Sequence, residues 1–263
     1  MKRCSKPVLL SALAGLLLLW PGRADAASAE LEHLRAFEEA NRRFTEAKSA
    51  DEYYAAAARF QSILDSGLIS GAVLYNLGNC WLAVGEHGRA IASYLRAERY
   101  LSRDPLLQNN LGQARIAAGQ SEPAPSVLDH VLFWQDWLSY REKAWAVALL
   151  ATLAFLCGLL SLQLGRRSRL FRRAGWSSLA LCAIALGSLS LDVYEIEFQE
   201  HGVIVKGEVT ARMGNSESFA PAFNEPLREG AVFEVLERRD DWVRIQIQNG
   251  LDGWVAESDA VYF

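Results

Sequence analysis

The chain has 263 residues and a net charge of −4, with hydrophobic residues at 51%, enough for either a globular core or membrane spans. No soluble stretch is basic: residues 27–143 sum to −3 and residues 192–263 to −9, so nucleic acid is excluded as a partner. The one basic run, +5 over residues 166–173, lies between two uncharged apolar stretches, which points to a membrane protein with soluble parts flanking a hairpin.

Residues 1–26 read as a signal peptide. Lys2, Arg3 and Lys6 precede an apolar run from Val8 to Trp20, and Ala24-Asp25-Ala26 supplies the small residues a signal peptidase needs. The run is shorter than the ~20 residues a spanning helix requires. Cys4 stands before the run, which is the wrong side for lipoprotein processing.

Residues 31–120 contain an internal period. Asn76-Leu77-Gly78 recurs 34 positions later as Asn110-Leu111-Gly112, Gly85 as Gly119, and Ala56 and Phe60 as Ala90 and Tyr94. Five helices are expected, near 31–48, 51–66, 71–84, 87–101 and 105–118, with Lys48-Ser49-Ala50-Asp51 read as an insertion. Leu77-Gly78, Trp81, Gly85, Ala90, Tyr94, Ala97 and Pro105 together resemble the packing signature of tetratricopeptide repeats. That resemblance implies an all-α solenoid whose concave face is lined by the first helix of each unit. On the family's spacing, Tyr75, Asn79 and Leu82 line that groove from one unit and Asn109, Gln113 and Ile116 from the next. Their amides suit a peptide backbone, because each can both donate and accept. The resemblance therefore implies protein partners bound through extended or helical segments.

After the linker Ser121-Glu122-Pro123-Ala124-Pro125, residues 126–143 place Val127, Val131, Trp134 and Leu138 on one helical stripe. An amphipathic interfacial helix is expected there, with its aromatic side chains as membrane anchors. Residues 144–164 and 174–191 carry no charge and are each expected to span. The loop 165–173 holds Arg166, Arg167, Arg169, Arg172 and Arg173, which the positive-inside rule assigns to the cytoplasm. Both soluble parts are then expected outside the cytoplasm, with the hairpin as their membrane anchor.

Residues 202–263 change to short alternating runs. Expected strands are Gly202 to Val205, Glu208 to Arg212, Ala231 to Leu236, Trp242 to Ile247 and Gly253 to Val255, with Asn249-Gly250 as a turn. Asp241-Trp242-Val243-Arg244-Ile245 followed by Asn249-Gly250-Leu251-Asp252-Gly253-Trp254-Val255 resembles a bacterial SH3-like domain, which implies a small all-β barrel. Trp242 and Trp254 are candidates for lining its groove, or for its core. Arg212-Met213-Gly214-Asn215 departs from that family's usual Arg-Ser/Ala-Gly-Pro turn.

The order of parts resembles the BatE-type proteins of bacterial aerotolerance operons. The resemblance implies a scaffold in an envelope complex with von Willebrand A-type membrane proteins and a MoxR-type ATPase. Binding of peptidoglycan through the SH3-like domain is the alternative, disfavoured by the −9 charge of residues 192–263, which anionic wall polymers would repel. No enzyme, metal or cofactor is expected. His33, His87, His130 and His201 fall in no ligand spacing, no nucleophile or phosphate-loop motif is present, and Cys80 reads as a buried packing residue.

Overall fold

The computed structural model describes residues 23–121, 132, 134–163, 169–247 and 250–263. Residues 1–22 of the expected signal peptide, residues 122–131 of the linker and the expected interfacial helix, Arg166 and Arg167 of the loop, and Asn249 of the expected turn lie outside the described residues.

The N-terminal half is helical: α1 (Arg23–Glu46), α2 (Ala50–Asp65), α3 (Gly71–Ala83), α4 (His87–Glu98) and α5 (Pro105–Ala117), each packed on the next. Gly67, Gly85 and Gly119 close the helices that precede them with positive φ, a conformation side chains resist. The expected insertion 48–51 carries a helix start. Ser49 accepts the Glu52 amide while the Glu52 carboxylate accepts the Ser49 amide, a reciprocal cap. Ala40, Phe60, Leu74, Leu77, Ile91, Tyr94 and Leu111 form a continuous buried core between the helices.

Where a single interfacial helix is expected, the described residues show α6 (Trp134–Trp137), a break at Leu138 and Ser139, then α7 (Tyr140–Gln163). Ser139 causes the break, since its amide and hydroxyl are taken by the Glu142 carboxylate in a new cap. α7 packs against α8 (Arg169–Phe198), with Gly175 lying on Cys157 and Ser178 Oγ donating to the Leu150 carbonyl at 2.8 Å. Both are long and apolar enough to cross a membrane, with mean hydropathy 2.2 and 1.6 over 18-residue stretches within Tyr140–Gln163 and Arg169–Tyr194. A core helix of a soluble protein is covered by its neighbours, whereas these leave Leu149, Phe155, Leu162, Ile184 and Leu186 exposed. Tyr140 and Trp145 at one end and Trp176 near the other are also exposed, as interfacial aromatics are.

The C-terminal part is a five-stranded antiparallel sheet in the order β6-β5-β4-β1-β7, with a two-stranded ribbon β2-β3. The strands are β1 (His201–Ile204), β2 (Glu208–Val209), β3 (Leu227–Arg228), β4 (Val232–Arg239), β5 (Trp242–Ile247), β6 (Asp252–Ala256) and β7 (Ala260–Tyr262). Ile204, Phe233, Val243, Ile245 and Val255 make its core. β3 and β7 are too short to show an alternating pattern, and sequence reading missed both.

Candidate binding surfaces

Helices α1, α3 and α5 are joined by a ladder of side-chain amides. Asn76 Nδ2 donates to Asn41 Oδ1 at 2.7 Å, Asn79 Nδ2 to Asn76 Oδ1 at 3.3 Å, and Asn110 Nδ2 to Asn79 Oδ1 at 2.9 Å. The buried Tyr94 hydroxyl of α4 donates to the same Asn79 oxygen at 2.8 Å, and Asn110 also reaches the Tyr75 hydroxyl at 3.0 Å. Burial raises the Tyr94 phenol above its ordinary range, so it remains a donor. Behind it, a Cβ on Gly78 would stand 2.5 Å from Tyr94 Cε1, so only glycine admits that ring.

The six expected groove positions therefore separate into two groups. Tyr75, Asn79 and Leu82 are half-buried, and the Tyr75 hydroxyl and Asn79 amide are engaged within the ladder. Asn109, Gln113 and Ile116 are exposed on α5, with Ile116 at 78%. Asn79 and Gln113 share a register but not an environment. The position 34 beyond Tyr94 is Leu128, which carries no hydroxyl to offer Gln113.

The sheet docks on the opposite side, against α4. The Gly88 amide donates to Glu229 Oε1 at 2.7 Å, and Gln120 Nε2 donates to the Glu229 carbonyl at 2.8 Å. Both partners at this seam need glycine: a Cβ on Gly88 would lie 2.5 Å from the Ile204 carbonyl, and one on Gly230 would lie 2.7 Å from Ile91 Cδ1. Val203 is fully buried within the helical core, with Val232, Val261 and Phe263 packed beside it. One side of β1 thus belongs to the helical core, while Ile204, Phe233 and Val243 belong to the sheet's own.

Within the sheet, Val243 and Ile245 point inward, so Trp242 and Arg244 point outward. Arg244 pairs with Trp254, and Trp242 with Ala256, which places the two tryptophans diagonally on the same outer face. They do not form an open cleft. Trp254 is only 7% exposed, its backbone paired with Arg212 through two hydrogen bonds of 2.7 Å. The Arg239 guanidinium lies over its ring at 5.4 Å. Trp242 is half-buried.

At the open end of the hairpin stands a feature sequence reading did not name. Lys143 Nζ donates to both oxygens of Asp192, at 2.7 and 2.8 Å, and to the Gln135 carbonyl at 2.8 Å. Its side chain is 3% exposed. The signal was present, because the two residues bracket the uncharged stretches at their matched ends. Arg169, Arg172 and Arg173 are exposed at the other end of α8.

Residues 205–259 match the family described as bacterial SH3 domain. A domain of that family supports a protein-binding or cell-wall-binding role. No curated protein and no solved structure matches the chain.

Proposed function

We propose that this chain is a membrane-anchored, non-enzymatic scaffold of the bacterial envelope, in which residues 31–120 are a tetratricopeptide array that holds a peptide segment of a protein partner. The observation that carries this reading is the docking of the SH3-like sheet on α4, which leaves the side chains of Asn109, Gln113 and Ile116 on α5 exposed to a ligand. The sheet completes the core of a short array that would bury little apolar surface alone. Its covered Trp254 supports a buttress more than a wall-binding cleft. The BatE resemblance suggests von Willebrand A-type membrane proteins and a MoxR-type ATPase as the partners. The arginines of 165–173 support an orientation with that loop in the cytoplasm and both soluble parts outside it.

Two experiments test the parts of this reading. Reporters inserted near Pro123 and fused after Phe263 should both be extracytoplasmic, and one cytoplasmic reporter removes the hairpin topology. The full chain in detergent should stay in the supernatant when purified sacculi are sedimented. Co-sedimentation would favour the wall anchor. The full chain is required because Val203 belongs to the helical core.

A further inference from the structure

A cavity of about 320 Å³ lies where the helical array, the open end of the hairpin and the sheet meet. The Lys143–Asp192 pair lines one side, Glu98, Arg99 and Ser102 another, and Phe263 of the sheet domain a third. Its volume is at the lower end of small-ligand sites, ~300–1,000 Å³.

Its depth relative to a bilayer follows from charge. The uncharged stretches 144–164 and 174–191 begin one residue inside Lys143 and Asp192, so this pair marks the edge of the hydrocarbon. Exposed Tyr140, Trp145 and Tyr194 ring the same level, where headgroups lie. The cavity therefore faces the headgroup layer, which rests on the reading of α7 and α8 as spanning helices.

Its chemistry follows from which charges are spent. Lys143 has all three donors occupied and Asp192 is its counter-ion. Arg99 rests its guanidinium on the Phe263 ring at 5.6 Å and has no carboxylate in ion-pair reach among the described residues. Glu98 accepts the Gln108 amide at 2.6 Å and likewise has no cation in reach among the described residues. One uncommitted cation beside one uncommitted anion, in a half-apolar cavity, matches a zwitterion. A phosphodiester would meet Arg99, whose fork of donors fits phosphate oxygens, and a primary ammonium would meet Glu98.

We propose that this cavity binds the headgroup of an ethanolamine phospholipid, phosphate toward Arg99 and amine toward Glu98. The test uses the purified full chain, delipidated in detergent and titrated with phosphatidylethanolamine, phosphatidylglycerol or phosphatidylcholine, with bound lipid read by native mass spectrometry. The ethanolamine lipid should be retained about tenfold better than the other two, the scale of one charge-assisted hydrogen bond. Arg99→Gln and Glu98→Gln should each remove that preference. Ser102→Phe, which fills the cavity without changing charge, should lower retention of every lipid while the melting temperature holds. Equal retention of the three lipids by the wild type would overturn the proposal, as would a preference that survives Arg99→Gln and Glu98→Gln. Glycerophosphoethanolamine, which lacks tails, should compete weakly; if it protects as well as the lipid, the ligand is a soluble phosphodiester and the lipid assignment fails. Carbonate extraction of membranes separates the two readings. A chain released by carbonate refutes the spanning hairpin, whereas a resistant chain with no lipid preference refutes the headgroup site alone.

Discussion

The Glu229 carboxylate accepts the Gly88 amide at 2.7 Å, tying residues 141 positions apart across the seam between helices and sheet. It stands at the N-terminal turn of α4, where unpaired amides and the helix dipole favour a negative group. Because a Cβ on Gly88 would strike backbone at Ile204, the seam cannot relax locally. Gly88→Leu should cost about 1–3 kcal/mol by overpacking. Hydrogen exchange should then rise together in β1 and α4. Faster exchange in α4 with β1 unchanged would mean that the two do not share a core.

The amide ladder separates stability from binding. Asn79→Ala removes the acceptor of the buried Tyr94 hydroxyl and should cost about 1–3 kcal/mol. Gln113→Ala, on an exposed side chain, should stay within about 0.5 kcal/mol. Gly78→Leu should again cost about 1–3 kcal/mol, because Tyr94 occupies the space. Thermal melts of the detergent-solubilised chain measure all three. Equal melts for the asparagine and glutamine variants would remove the ladder from the account.

The recurrence of Asn-Leu-Gly located the packed faces of α3 and α5, because a helix buried against neighbours repeats its small and large residues at fixed spacing. It could not reveal that Asn79 is spoken for while Gln113 is free, since that depends on a tyrosine from another helix. The sheet was legible wherever strands alternate over several residues, as in Trp242–Ile247, and illegible in β3 and β7. The seam was hidden because its partners lie far apart in sequence, and the Gly88 and Gly230 requirements are imposed by tertiary contact.

Acid should loosen the start of α2. The Lys48 and Ser49 amides hold the Glu52 carboxyl below its ordinary range. The folded pKa lies below the unfolded value of ~4.3, so the cap's contribution is complete above that value and lost as pH falls through the folded pKa. Amide protection at the first turn of α2 should therefore drop on acidification below about pH 4. Glu52→Gln should show a smaller step. An unchanged step in that variant would assign the acid response elsewhere.

The Lys143–Asp192 pair should behave as a unit. Lys143→Met leaves Asp192 without its cation and should cost about 3–5 kcal/mol, whereas Lys143→Met with Asp192→Leu should recover most of that loss. Melts of the two variants in detergent decide the point. If the double variant is as unstable as the single one, the pair is not what joins α7 to α8 at this end.

The central claim is that the first-helix face of the array holds a protein partner while the sheet supports the array from behind. Site-specific photo-crosslinking in intact cells tests it most directly, with a benzophenone side chain placed at Gln113 or Ile116 on the exposed side of α5, or at Ser62 on α2 as control. The account predicts adducts to an envelope protein, identified by mass spectrometry, from positions 113 and 116 and none from position 62. Adducts from position 62 alone, with 113 and 116 silent, would contradict it.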